Sequence, residues 1–186
     1  MSLSMIEVVA GTLGLRLHLV PRWRGGELDR LLDHAHARLV EAVVRLLRAT
    51  GWEVVAEATF SVYGERGSID VLAWHPRTGI LLVVEVKSSI HDIQALLAGI
   101  DRKRRLASRL ATERGWNVSW VACWLAVGEG RTNRRRIAAH RATLATMFDS
   151  DGRGLRGWLT APTPRLGFVS FLPKVRPGVR RSAISA

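Results

Sequence analysis

Cysteine is almost absent from this chain of 186 residues, in which Cys123 is the only one. A single thiol excludes an intrachain disulfide and a zinc cluster built on cysteines, and it is consistent with a reducing cytoplasm. No apolar run reaches the roughly 18 residues of a membrane-spanning helix, and the beginning lacks the basic-then-apolar order of a signal peptide. We therefore expect a cytoplasmic protein that makes no membrane contact.

Acidic residues are scarce relative to basic ones. The chain has 28 Lys and Arg against 16 Asp and Glu, a formal net charge of +12. Such an excess favours a polyanionic partner, because each phosphate that a cation neutralises releases counterions and adds affinity. An acidic membrane surface or simple solubility would explain the charge as well. Nucleic acid fits the charge, but the charge alone does not distinguish among these three explanations.

Lysine is rare among these basic residues, since only Lys87, Lys103 and Lys174 are lysines. Lysine and arginine are not equivalent in a site that needs a compact, flexible point charge. A lysine retained beside a carboxylate, as Lys87 is beside Glu85, is therefore consistent with a chemical role.

The length and the 47% share of hydrophobic residues predict one main domain with a single core. We expect an N-terminal extension at 1–26, with a short strand at 15–20, followed by an α/β core at 27–148. The remaining residues, 149–186, are interrupted by prolines and rich in arginine. They are expected to form an irregular basic segment with room for one strand at 166–172 that packs on the core.

Within the core, apolar residues at three- and four-residue spacing predict a helix over 27–49. Three strand-like segments follow, at 52–61, 68–74 and 80–87. The connections between them are short and contain Gly, Pro and Thr, which is typical of tight turns. The three segments are therefore predicted to form an antiparallel meander.

Two further helices are predicted, one capped by Asp92 and ending near residue 113, the other running from Thr132 to about residue 148. Between them, tryptophans spaced by four residues suggest a helix, but the neighbouring valines favour a strand. A period of two places five residues on one apolar face, where core packing is expected: Trp116, Val118, Trp120, Ala122 and Trp124.

The second and third predicted strands carry a group of charged residues. Residues two apart on a strand project to the same face, so Glu85 and Lys87 point together, and a neighbouring antiparallel strand can bring Asp70 beside them. Two close carboxylates repel unless a cation lies between them, and hard oxygen ligands suit Mg²⁺. Lys87 would then orient or deprotonate the attacking water, or stabilise charge on phosphorus.

The alternative is that Glu85 and Lys87 are solvent-facing residues of an amphipathic strand. However, residues 80–84 before them are all apolar, which is typical of a strand covered on both faces. Charges at the end of such a strand occupy a costly environment unless they serve a site. The pattern therefore favours the functional interpretation.

With Gly-Ser-Ile-Asp at 67–70 and Val-Glu-Val-Lys at 84–87, the chain resembles the PD-(D/E)XK nuclease superfamily. It looks most like archaeal Holliday-junction resolvases and small bacterial resolvase-like proteins, over about residues 28–127. The resemblance implies an α/β, restriction-endonuclease-like core, in which a central mixed β-sheet with the antiparallel three-strand meander is flanked by helices.

The same resemblance implies a Mg²⁺- or Mn²⁺-dependent DNA endonuclease, with Asp70 and Glu85 as metal ligands and Lys87 as a further catalytic residue. DNA is the expected partner, no small-molecule cofactor is expected, and a monomer and a homodimer both stay open. The alternative is a catalytically inactive DNA-binding or regulatory module that retains the nuclease fold.

Many members of this superfamily add a glutamate from the first helix, and Glu41 is the candidate by position. Glu41 also lies on a helix face with Arg38 and Arg45, opposite the apolar stripe, so a solvated residue in charge pairs is an equal alternative. Glu57 on the first strand is the next candidate, and Gln94 can line the same cleft.

Phosphate contacts are expected from basic residues near these carboxylates, although helical arginine runs are often only solvated faces. No pattern indicates base-specific readout. The candidate nucleic-acid-binding residues are Arg66, Arg102, Lys103, Arg104, Arg105, Arg134, Arg135 and Arg136.

Overall fold

The computed structural model describes residues 26–62 and 64–173, with side chains from Leu32 onward. The whole sheet lies in one compact unit that begins at Leu31. The elements in chain order are α1 (Gly26–Ala49), β1 (Glu53–Val62), β2 (Glu65–His75), β3 (Ile80–Lys87), α2 (Ile93–Thr112), β4 (Trp120–Gly128), α3 (Arg131–Ala139), α4 (Arg141–Leu144), β5 (Ser150–Asp151), α5 (Leu155–Thr160) and β6 (Gly167–Leu172).

One six-stranded sheet organises the chain, in the order β1-β2-β3-β4-β6-β5. β1, β2 and β3 pair antiparallel, so the predicted meander is confirmed. β3, β4, β6 and β5 run parallel to one another. The protein is therefore α/β, with a mixed sheet and helices on both faces, as the sequence predicted at this level.

Each face of the sheet carries its own apolar cluster. On one face, which we call the α1 side, Val43 and Leu47 of α1 pack with Val84 of β3. On the other, the α2 side, Ile100 of α2 packs with Val83. Alternate residues of β3 enter both clusters, so the strand is buried on both faces. Each such side chain contributes roughly 1.5–3 kcal/mol.

Helix α2 begins where the sequence predicts it. The Asp92 side chain accepts a hydrogen bond from the Ala95 backbone N–H at 3.0 Å and so caps the first turn. The chain leaves the helix at Gly115, whose φ of 73° is left-handed, while the Trp116 N–H donates to the Ala111 carbonyl at 3.0 Å. Both ends of α2 are thus fixed by local hydrogen bonding.

The predicted tryptophan strand is present as β4, but it is shorter than expected and the single apolar face was wrong. Trp116 precedes the strand and packs on the α2 side, whereas Trp124 is buried on the α1 side, and Trp120 is exposed. Trp116 stacks instead on Trp74, with ring centroids 5.9 Å apart. The period of two fails because residues 116–119 are not part of the strand.

The C-terminal part also differs in detail. The single helix predicted over 132–148 is wrong, since it is interrupted at His140 and continues only as the four-residue α4. A strand is present close to the predicted 166–172, as β6, which lies between β4 and β5. The strand predicted at 15–20 lies outside the described residues. The proposed division of the chain into segments stays a prediction.

Gly167 allows β6 to approach β4 closely, because a Cβ atom there would lie 2.1 Å from the Cys123 carbonyl oxygen. Gly167→Ala should therefore destabilise the protein by about 1–3 kcal/mol, the usual cost of overpacking. Gly157→Ala is a matched control in α5, where a Cβ meets nothing within 4 Å. Urea unfolding should show a loss only for Gly167→Ala, and equal stability of the two variants would contradict this account.

Candidate functional site

The candidate site lies where β2 and β3 separate. Val71 and Val84 form the last pair of the ladder at this end. Beyond it, the Asp70 side chain spans the gap, and its Oδ2 atom accepts a hydrogen bond from the Val86 backbone N–H at 2.7 Å. Asp70 is thus fixed to the residue that lies between Glu85 and Lys87.

The backbone is distorted at the same point. Ile69 and Leu72 both face the α2 side although they are three residues apart, so the alternation of β2 shifts at Asp70. Glu57, opposite Asp70 by the register of its neighbours, has a φ of 50°. A left-handed non-glycine residue costs of order 1–3 kcal/mol and persists only where the surrounding structure imposes it.

Glu85 is the most constrained charged group of the site, with only 5% of the residue exposed. Its Oε1 atom lies 2.6 Å from the Lys87 Nζ atom, and its Oε2 atom lies 2.5 Å from the Lys103 Nζ atom. A buried carboxylate is tolerated only when it is paired in this way. Because Lys103 belongs to α2, Glu85 faces the α2 side of the sheet.

The two lysines differ in their exposure to solvent. The side chain of Lys87 is 37% exposed, whereas that of Lys103 is 13% exposed. Part of the Lys87 side chain is therefore open to solvent. Lys103 is largely enclosed between α2 and Glu85 and acts mainly within the site.

Burial raises the pKa of the Asp70 carboxyl above its ordinary value of 3.8, and the negative charge of Glu85 raises it further. The hydrogen bond from Val86 and the charges of Lys103 and Lys87 lower this pKa and offset only part of the increase. Ionised Asp70 is thus destabilised where it stands. A further positive charge beside the two carboxylates would relieve this cost.

A cleft of about 450 Å³ opens beside these residues. Glu85 and Lys87 lie at the end of β3, α2 contributes the small residues Ala95 and Gly99, and the loop at 89–92 closes a further side. Arg102 and Lys103 also line the cleft, whereas Asp70 lies outside its lining. Its lining thus carries three basic side chains, those of Lys87, Arg102 and Lys103, against the carboxylates of Glu85 and Asp92, with a small-residue surface next to the charged end of β3.

The structure does not bring Glu41 to the carboxylate pair. Glu41 is 65% exposed, and its Oε1 atom forms an ion pair with Arg45 at 2.6 Å. It lies on α1, whose apolar residues pack on the sheet face opposite to Lys103. Glu57 and Gln94 are likewise exposed, and within 32–62 and 64–173 no group of three or more His, Cys, Asp or Glu could hold a metal ion.

Among the predicted phosphate-binding residues, Lys103 has a different position from the rest, because it contacts Glu85 directly. Sequence reasoning missed this role, although a signal existed. Lys103 lies three residues after Ile100 and four before Ala107, both on the buried face of α2. A lysine in an apolar helical stripe indicates an acidic partner across the interface.

The other predicted basic residues differ in their exposure and in whether a protein group already pairs with them. Arg66 and Arg135 are exposed, Arg102 lines the cleft, and Arg104 is half-buried. Surface carboxylates engage two more, because Arg105 pairs with Asp101 and Arg134 with Glu129. Arg136 donates to the Ile90 carbonyl and so contributes to the fold.

No protein-family model, curated protein sequence or solved structure shows significant similarity to the chain. Within the described residues, no helix combines the length and the apolar character needed to cross a bilayer.

Asp70→Asn should stabilise the protein in a pH-dependent way, since the amide keeps an oxygen to accept from Val86. The pKa of Asp70 is raised in the folded state, so ionised Asp70 lowers the free energy of unfolding. This loss is absent at pH values below the ordinary carboxyl pKa and complete at pH values above the folded-state pKa. Urea unfolding should show the variant more stable than the wild type at about pH 8, with the gain shrinking towards about pH 4.

The matched control for this change is Asp101→Asn, which removes an exposed carboxylate of α2. Its effect on stability should depend little on whether the pH is about 4 or about 8, because an exposed pair is screened by solvent. A pH-independent effect of Asp70→Asn would contradict the raised pKa.

Lys103→Met removes the ammonium group and keeps a long apolar stem. Among the described residues, Glu85 then retains Lys87 as its only ion-pair partner, and breaking one side of a buried pair costs about 3 kcal/mol. Adding Glu85→Gln should recover most of this loss. Arg105→Met, which breaks an exposed pair on the same helix, should cost under about 1 kcal/mol. Similar small losses in both single variants would show that Glu85 does not depend on Lys103.

Proposed function

We propose that the protein is a metal-dependent DNA endonuclease of the PD-(D/E)XK type, resolvase-like or restriction-like. The observation that carries the proposal is the convergence of Asp70, Glu85 and Lys87 at the point where β2 and β3 separate, beside a cleft that Arg102 and Lys103 also line. A restriction-endonuclease-like core is part of the proposal. The order of α1, the three-strand meander, α2 and the parallel β4 supports it.

The residues fit a Mg²⁺ or Mn²⁺ ion held by Asp70 and Glu85. Mg²⁺ sites commonly use one or two carboxylates and complete their coordination with water and phosphate oxygens. One Asp70 oxygen accepts from Val86, while no described residue forms a hydrogen bond with the other. The raised pKa of Asp70 also indicates a place where added positive charge is favourable. The ion would supply charge neutralisation and an activated water.

The two lysines would then have separate roles. Lys87, with more than a third of its side chain exposed, is placed to contact the phosphate or orient the attacking water. Lys103, enclosed against Glu85, holds that carboxylate in orientation. The Lys87 ammonium group would also stabilise negative charge that develops on phosphorus, since a cleft partly shielded from water strengthens such interactions.

DNA would be held mainly through phosphate contacts. Arg102 is inside the cleft, and Arg66 and Arg135 are exposed. The net charge of +12 supplies a general attraction to a polyanion. Arg105 and Arg134 would contribute less, because each already pairs with a carboxylate.

A second candidate is a DNA-binding or regulatory module that keeps this fold without cutting. The charge balance of the site favours it, because Asp70 and Glu85 already face two lysines. Calorimetric titration with Mn²⁺ separates the two candidates. Binding that is lost in Asp70→Asn supports the nuclease, and its absence in the wild type supports the module.

The decisive test is incubation of supercoiled, linear and branched DNA with Mg²⁺ or Mn²⁺. We expect cleavage by the wild type, a loss of at least about 100-fold in Asp70→Asn and Lys87→Met, and wild-type activity in Glu41→Gln. The last variant alters only an exposed ion pair of α1. Undiminished cleavage by the first two variants would refute the assigned site.

A further inference from the structure

Asn133 of α3 is one of the few buried polar residues in the described chain, with 6% of the residue exposed. Its Nδ2 group donates to the Ser88 carbonyl at 2.9 Å and to the Gly128 carbonyl at 2.8 Å. Its Oδ1 atom accepts from the Ile90 backbone N–H at 3.2 Å. Both donors of the amide are therefore used, and so is its oxygen.

These bonds lie where β3 and β4 end. The last pair of this parallel ladder is Lys87 with Val127, after which one chain leads to α2 and the other to α3. The Asn133 side chain lies between the two strands where they separate. Its hydrogen bonds to Ser88 and Gly128 take the place of the next backbone hydrogen bonds of the ladder. Packing there is tight, since a Cβ atom on Gly128 would lie 3.2 Å from the Ser88 carbonyl oxygen.

A second residue of α3 strengthens the same connection. Arg136 donates through its Nη1 atom to the Ile90 carbonyl, so α3 holds both the N–H and the C=O of Ile90. Ser89 to Asp92 form one wall of the cleft, and Ser88 connects them to Lys87. Helix α3 thus fixes the wall of the cleft relative to the charged end of β3.

Helix capping does not account for Asn133. It is the third residue of α3, a position from which a side chain can reach back to the backbone N–H of the N-cap residue. The N-cap is Gly130, and α3 has no side-chain cap hydrogen bond. The amide is directed to β3, β4 and the cleft loop, so it serves their arrangement rather than the start of its own helix.

We propose that Asn133 is a positioning residue of the nuclease site, acting through the loop at 88–90 without touching DNA or the reacting atoms. The proposal rests on the proposed function. Loss of the amide would let the loop and α2 move away from Lys87 and Glu85. Misplacement by about 1 Å is enough to lower turnover about 100-fold, and loss of residues that orient a metal site costs about 10- to 100-fold.

The test compares Asn133→Asp, which keeps shape but removes the donors, with Asn133→Ala, which removes the amide without adding charge. Asn117→Asp is the chemical control, because Asn117 is exposed before β4. Leu144→Ala is the stability control, since Leu144 is buried in the neighbouring α4. Amide hydrogen exchange at Ile90 and the kcat and KM for DNA cleavage are measured for each.

For Asn133→Ala we expect exchange at Ile90 at least about 10 times faster, because the oxygen that accepts from the Ile90 N–H is lost. For both Asn133 variants we expect kcat about 10- to 100-fold lower and KM within about twofold of the wild type. The two controls should keep kcat. Unchanged exchange at Ile90 in Asn133→Ala, or unchanged kcat in either Asn133 variant, would overturn the proposal. So would an equal fall of kcat in Leu144→Ala, because the effect would then be general destabilisation.

If the wild type neither cuts DNA nor binds Mn²⁺, the proposed function fails. The positioning role is then decided by amide exchange at Ile90. Faster exchange in Asn133→Ala than in Leu144→Ala would support it, and equal exchange would overturn it.

Discussion

The buried ion pairs of Glu85 are the constraint on which the rest of the site depends. A carboxylate at the end of a strand covered on both faces needs compensation, and it is provided from two directions. Lys87 comes from the same strand two residues later, while Lys103 comes from α2 across the interface. The second pair requires α2 to dock with Lys103 towards the sheet, so the orientation of α2 and the charge of Glu85 are coupled.

Asp70 adds a second electrostatic cost that the apolar core must offset. Its pKa is raised by burial and by Glu85, and it lies opposite Glu57, whose backbone is left-handed. Such features lower stability and are typical of functional sites. The surrounding apolar residues, above all the doubly buried β3, supply the stabilisation that keeps these groups in place. The same rigidity limits how far Glu85 and Asp70 move apart.

The balance of two carboxylates against two lysines also separates the two candidate functions. A cation between Asp70 and Glu85 would compete with the ammonium groups already there, whereas a phosphodiester brings negative charge that those groups can accept. A nuclease would use both effects, because metal and phosphate together preserve the charge balance. A binding module would use only the second. The exposure of Lys87, in contrast to Lys103, would offer a phosphate a cation to contact under either proposal.

The order of the main elements, the antiparallel meander and the proximity of Asp70 to Glu85 and Lys87 could be predicted from the sequence, because they follow from local periodicity, short turns and strand pairing. The residues that complete the site depend instead on tertiary packing. Glu41 is exposed beside Arg45 on the opposite side, and Lys103 is turned inward. Asn133 joins the end of β3, 45 residues away in sequence, to the end of β4. Tertiary packing also places Trp116 and Trp124 on opposite faces of the sheet. A helical pattern shows which residues share a face, but only packing decides what that face meets.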